Sequence, residues 1–128
     1  MSDPAVDELL SLSQKLLESI AKGDWATYSE LCDPTISCFE PEARGHLVQG
    51  MSFHKFYFDL GGAKGPRTNT MSSPHVRVMG DSALVTYIRL VQSLDASGAP
   101  VTSHTEETRV WQLQNGQWRH VHFHRSPC

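Results

Sequence analysis

A chain of 128 residues, 39% hydrophobic and 20% charged, has the size and make-up of one globular domain around one core. Its formal net charge of −3 leaves no basic surplus to neutralise phosphates, which excludes nucleic acid as the main partner. No apolar run approaches the ~20 residues of a membrane span, and Met1-Ser2-Asp3-Pro4 lacks the basic start of a secretory signal.

Ser2 or Asp3 can cap a first helix, with Pro4 in its first turn. Val6, Leu9, Leu10, Leu16, Leu17 and Ile20 then repeat at amphipathic helical spacing until Gly23. Asp24 caps a short second helix that holds Trp25, Tyr28 and Leu31 on one side and ends at Asp33-Pro34. Residues 35–40 alternate like a strand, and an irregular crossing leads to Gly50. Phe53, Phe56, Tyr57 and Leu60 predict a third helix over 52–60 with a wide aromatic contact to the sheet. His54 and Phe58 lie off that stripe, and a functional reading puts His54 or Tyr57 at the mouth of a pocket. The glycine-rich stretch 61–73 reads as a mobile loop that becomes strand near Thr68. Strands follow over 75–79, 82–94, 101–114 and 117–125, joined by turns at Gly80-Asp81, 95–100 and Asn115-Gly116. The order predicts an α+β fold: one domain over 1–128, with helices on one face of a curved antiparallel sheet.

In the 82–94 strand, Ala83, Val85, Tyr87, Arg89 and Val91 share one face, and Leu84, Thr86, Ile88, Leu90 and Leu94 the other. Both faces are largely apolar. One can pack on the chain's own helices; a second subunit is expected on the other, unless strong curvature wraps the sheet around its own core. Arg89 among apolar neighbours implies a desolvated, paired guanidinium. In the last hairpin, Glu107, Arg109, Trp111 and Leu113 share a face, as do Val121, Phe123 and Arg125. A two-residue Asn-Gly loop would pair Gln114 with Gln117 and set Arg109 by His122. A three-residue loop would gather Glu107, Arg109 and Arg125 on one side. Such a cluster is either a buried ion network that fixes register or a pocket for a carboxylate, and the surplus of arginine favours the pocket. His120, His122 and His124 alternate, but two residues on one strand, with His104 as a distant third, do not make a metal set; no metal or cofactor is expected. Cys32, Cys38 and Cys128 are odd in number and irregular in spacing, which suits a reducing, cytoplasmic setting. Cys32 and Cys38 read as buried small apolar residues.

Several segments, among them Gly23-Asp24-Trp25, Phe39-Glu40-Pro41-Glu42-Ala43, Phe53-His54-Lys55-Phe56-Tyr57-Phe58, Met79-Gly80-Asp81, Tyr87-Ile88-Arg89, Glu106-Glu107-Thr108-Arg109-Val110-Trp111 and His122-Phe123-His124-Arg125-Ser126, closely resemble the association (hub) domain of calcium/calmodulin-dependent protein kinase II. The resemblance runs from about Val6 to Pro127. It implies an NTF2-like cone, with three helices laid into a strongly curved antiparallel sheet. It also implies self-assembly of dimers into two stacked rings, commonly of twelve or fourteen subunits, which gather kinase domains around a hub. The family pocket maps here to Arg89, Arg109 and Arg125, with Glu107 alongside and His54 and Tyr57 near the mouth. It takes small anions, and its convergence favours the three-residue turn. The hub itself is expected not to be an enzyme. An isomerase- or dehydratase-type activity, or a sensor of small carboxylates, is the alternative use of the same pocket. Segment 61–73 is shorter than in the animal pattern and lacks its tryptophan, which bears on ring stoichiometry. With no kinase domain in the sequence, the chain reads as a stand-alone or excised hub.

Overall fold

The computed structural model describes residues 3–127; Ser2, the alternative helix cap, and Cys128 lie outside the described residues. Helix α1 (Pro4–Lys22) starts where the Asp3 carboxylate accepts the Ala5 N–H. It ends at Gly23, whose φ of 68° is open to glycine, with the Gly23 N–H on the Ile20 carbonyl. Leu9, Leu16 and Leu17 are its core stripe, and the small Ser13 and Ser19 let it lie close to the sheet. Helix α2 (Trp25–Leu31) is capped by Asp24 and buries Tyr28 and Leu31. Strand β1 (Cys32–Phe39) follows without a break, so Asp33-Pro34 lies inside the strand instead of ending the helix. Pro34 is tolerated there because the pairing of β1 is irregular between Cys32 and Ser37, where no ladder N–H is demanded of it.

The crossing after β1 is more ordered than its sequence suggests. It holds a 3-10 turn (Pro41–Ala43) and a short strand, β2 (Val48–Gln49), antiparallel to β1. Helix α3 (Ser52–Asp59) forms as its periodicity predicts, but its buried side is rotated off the expected stripe toward His54 and Phe58. His54 is buried against Tyr28 and Phe123, and Phe58 packs on Trp25 and Tyr28. Phe56 and Leu60 stay 61% and 67% exposed. The expected wide contact is therefore narrowed: Phe53 stays partly buried against the core, and His54 and Phe58, beside the stripe, take the place of Phe56 and Leu60.

Strands β3 (Thr68–Met79), β4 (Ser82–Leu94), β5 (Pro100–Gln114) and β6 (Gln117–Pro127) form the expected antiparallel meander. β1 then lies parallel to β6, so the six-stranded sheet, in order β2-β1-β6-β5-β4-β3, is mixed. The intervening elements supply the long connection that a parallel pair requires. On β4 the alternation is strict. Ala83, Val85, Tyr87, Arg89 and Val91 are buried, while Leu84, Thr86, Ile88 and Leu90 are half-buried on the outer face. β3 is kinked where Ser72 pairs with Ile88 but His75 with Thr86; Ser73 takes φ 51° and Pro74 follows.

The last hairpin settles the register by an unexpected device. Asn115 and Gly116 form a two-residue turn with φ 51° and 81°, and Gln114 pairs with Gln117. The favoured three-residue turn does not form. Instead β6 carries an extra residue at Val121: Trp111 pairs with His120 but Val110 with His122. That bulge reverses the side-chain parity of the strand's end. Arg109 comes opposite Phe123 and Glu107 opposite Arg125, and Val121 leaves the face it was expected to share with them.

The loop after α3 is pinned to the C-terminus of α1. The Ala63 N–H donates to the Ala21 carbonyl at 2.8 Å, and a Cβ on Gly62 would stand 2.5 Å from the Lys22 carbonyl oxygen. Gly62→Ala should therefore destabilise the fold by about 1–3 kcal/mol, because both colliding atoms are backbone. Urea unfolding checks this; a midpoint equal to wild type would contradict the close approach.

Candidate functional site: an arginine-lined cavity

Curvature of the sheet leaves a cavity of about 320 Å³ between its inner face and the helices. Arg89 of β4, Arg109 of β5 and Arg125 of β6 line it, with His54 and Tyr57 from α3 and Glu40 from the end of β1. Glu107 sits behind the arginines, 2% exposed. Arg89, Arg109, Arg125, His54 and Tyr57 thus come together at one cavity, whereas Glu107, also expected at the site, does not line it and lies behind Arg89 and Arg109.

The roles are unequal. Glu107 Oε1 accepts from Arg109 Nη2 at 2.8 Å and from the Tyr87 hydroxyl at 2.7 Å. Its Oε2 accepts from Thr105 Oγ1 at 2.9 Å and pairs with Arg89 Nη1 at 3.2 Å. Arg109 Nε donates to the Tyr87 oxygen at 2.7 Å, and its guanidinium lies 4.7 Å from the centre of the Phe123 ring. Burial opposes the Glu107 charge, but Arg109, Arg89 and the hydrogen bonds from Tyr87 and Thr105 outweigh it and hold the carboxyl below its usual range. Burial also opposes charge on Arg109, and Tyr87 and Glu107 more than offset it. Arg89, desolvated and only partly compensated by Glu107, is held below the usual guanidinium range.

Arg125 does not join Glu107, its cross-strand neighbour. It forms an ion pair with Glu42 and lies 3.6 Å from Glu40 Oε2. Burial, then the nearby Glu42, push Glu40 up to about 7, against the pull of Arg125. His54 Nδ1 stands 3.9 Å from Glu40 Oε1 and its Nε2 3.8 Å from Cys38 Sγ. Burial, then the charge of Arg109, drive His54 down to about 4, so it is neutral at ordinary pH.

Sequence reasoning missed Glu40, Glu42, Tyr87 and Arg67. Glu40 was findable, since Ile36, Cys38 and Glu40 share the inner parity of β1 and an inward carboxylate needs a partner. Tyr87 shares its face with Arg89, but nothing in a strand pattern says that its hydroxyl bridges two charges. Arg67 lies outside any periodic segment. The three alternating histidines do not converge. His120, before the bulge, faces inward, 3.5 Å from Cys32 Sγ, while the bulge turns His122 and His124 off that face: His122 bonds Ser37 and His124 is exposed. Among the described residues, Cys38, Glu40 and His54 bring donor atoms within 4.8 Å of one another, but Arg109 and Arg125 beside them oppose a cation. Burial raises both the Cys32 and Cys38 thiols to about 12, which leaves them unreactive.

Glu107→Ala strips two buried guanidinium groups of their shared partner and should cost about 3–5 kcal/mol in denaturant unfolding. Glu40 offers a test in pH. Its folded value of about 7 exceeds the usual 4.5, so its contribution to stability is complete below about 4.5 and is lost as pH rises through about 7. Glu40→Gln is neutral throughout. Its melting temperature relative to wild type should therefore climb between about pH 5 and about pH 8 by calorimetry; a constant difference would place Glu40 in an ordinary, solvated setting.

The chain as a whole is similar to known proteins. Residues 5–128 match the family model of the calcium/calmodulin dependent protein kinase II association domain. The delta subunit of calcium/calmodulin-dependent protein kinase type II from rabbit is 47% identical over 122 residues, covering 93% of this chain and 23% of that protein. The chain thus spans about a quarter of that relative's length. The solved hub homology domain from Chlamydomonas reinhardtii superposes with a TM-score of 0.91 at 52% identity, covering 97% of this chain and 98% of that one. The association domain of the C. elegans kinase gives 0.91 at 43% identity and 95% coverage of each chain. A Salmonella enterica protein of the nuclear transport factor 2 superfamily shares the fold, with a TM-score of 0.76 at 25% identity over 94% of this chain and 89% of that one. With the family model spanning residues 5–128 and solved association domains superposing over nearly the whole chain, this chain belongs to the association-domain family of calcium/calmodulin-dependent protein kinase II.

Proposed function

We propose that the chain is a homo-oligomerisation hub whose copies pair through the outer face of the sheet and close into two stacked rings. The observation that carries this reading is the outer face of β4. Leu84, Ile88 and Leu90 lie there half-exposed on a long central strand, while α1 and α2 pack on the other side. A face of that kind on a chain of this family favours a second copy as its cover. Kinase domains of the same or related chains are the cargo such a hub would gather. The buried thiols fit a cytoplasmic setting; separately, no described helix is long and apolar enough to cross a membrane.

The cavity lined by Arg89, Arg109, Arg125, His54 and Tyr57, with Glu107 behind it, we read as a pocket for a small anion, a carboxylate above all. Arg89 and Arg109 share one carboxylate, Glu107, which leaves surplus positive charge in a site shielded from water. The hub is read as non-catalytic, since Glu107 is committed as an anion and is a weak base.

Light scattering on a sizing column tests the assembly. The wild type should give a large particle of discrete mass, unchanged on dilution. Ile88→Lys faces Ser72 and Glu106 on the neighbouring strands, so the lysine is accommodated within the subunit but charges the outer face. It should break the particle into smaller species while circular dichroism is retained. A wild-type chain that runs as a monomer would overturn the hub reading.

A further inference from the structure

The arginine-lined cavity does not end at Arg89. Beneath residues 61–63 lies a second space of about 210 Å³, walled by Ile20, Ala21, Gly62 and Asn69. The two spaces share Ile20, Arg67 and Arg89, so two arginines stand at their junction. Arg89 is 8% exposed, and its Nη1 is occupied by Glu107, but its Nε is buried without any hydrogen-bond partner. A buried donor of this kind calls for an acceptor. Arg67 has no hydrogen bond or ion pair among the described residues.

The other two guanidinium groups already have partners for part of their N–H groups. Arg109 directs Nε to Tyr87 and Nη2 to Glu107, and its Nη1 lies 3.4 Å from His120. Arg125 is held by Glu42 and Glu40. Charge follows the same division. At the Arg125 end, two carboxylates face one guanidinium. At the junction, Arg67 adds its charge to the excess that Arg89 and Arg109 keep over Glu107.

Resting on the anion-pocket reading above, we propose that the anionic group is seated at the junction of the two spaces, held by Arg67 together with the free Nε edge of Arg89. The ligand class is a small carboxylate. One oxygen meets Arg89 Nε and the planar fork of Arg67 closes over the other. Arg67 is placed for this before any ligand arrives. On one side the loop is pinned to α1 through Ala63 and Gly62; on the other, Thr68 enters β3 opposite Gln92. Such preorganisation lowers the cost of binding.

Titration calorimetry with butyrate at low ionic strength tests the assignment. Arg67→Ala should weaken butyrate binding about tenfold or more, with native mass and melting temperature unchanged, because Arg67 is exposed and unpaired in the free protein. Arg67→Lys should recover part of the loss, as a point charge without the fork, and a steeper salt dependence should follow the charge and not the fold. Wild-type affinity in Arg67→Ala would overturn the junction and leave the anion pocket standing. A wild type that binds no butyrate would overturn both.

Discussion

One carboxylate, that of Glu107, sets the terms for the interior of this protein. It is almost wholly removed from water and shared by two guanidinium groups, a tyrosine and a threonine. A charge in such a place is tolerable only when its partners arrive from several directions at once. Here they come from β4 and β5, so the relative register of those strands and the ionic core specify one another. A slip of one residue would send Tyr87 and Arg89 to the outer face and leave Glu107 with only Arg109 and Thr105 of its own strand. The apolar layer formed by Leu9, Leu16, Tyr28, Val85 and Trp111 supplies the bulk of the burial. The ionic group selects which of the nearly equivalent packings is adopted.

That arrangement also explains how a sheet with arginines on its inner face can be hollow at one end. Toward Trp111 the inner face is filled by aromatic and aliphatic side chains. Toward Glu107 the long polar side chains satisfy one another and leave room between the sheet and α3. Polar walls that are already paired do not collapse onto a void as leucines would. The cavity is thus a by-product of the same network that fixes the strands, and its charge is graded from the acidic Glu40–Glu42 side to the cationic Arg67–Arg89 side.

Much of this was legible in the chain. The alternation of β4 separated Tyr87 and Arg89 from Ile88 and Leu90 without error, because strand parity is a covalent fact. The end of the last strand was placed on the correct side of the sheet for the wrong reason. Asn115-Gly116 makes the plain two-residue turn, and the shift comes at Val121, where neither glycine nor proline advertises a bulge. Helix α3 was recognised by its period, yet its buried side is rotated from the expected one, since period alone does not say how far a neighbouring helix will draw a second aromatic stripe inward. Glu40 and Arg67 were overlooked because one sits at a strand end and the other in a loop, where pattern carries least information. Their significance is visible only once distant segments are brought together.

The outer strands of the sheet bear on how copies of such a chain could meet. A six-stranded open sheet has two rims of unpaired backbone, and a long regular rim invites endless strand-to-strand growth. One rim here is β2, only two residues long. The other, β3, is broken at its middle by the kink at Ser73 and by Pro74, which offers no N–H. Neither rim can template another strand over any length. In a chain that assembles, contact between copies would thereby be steered toward the broad faces, whose geometry can close on itself, and away from the open-ended stacking that makes a fibre.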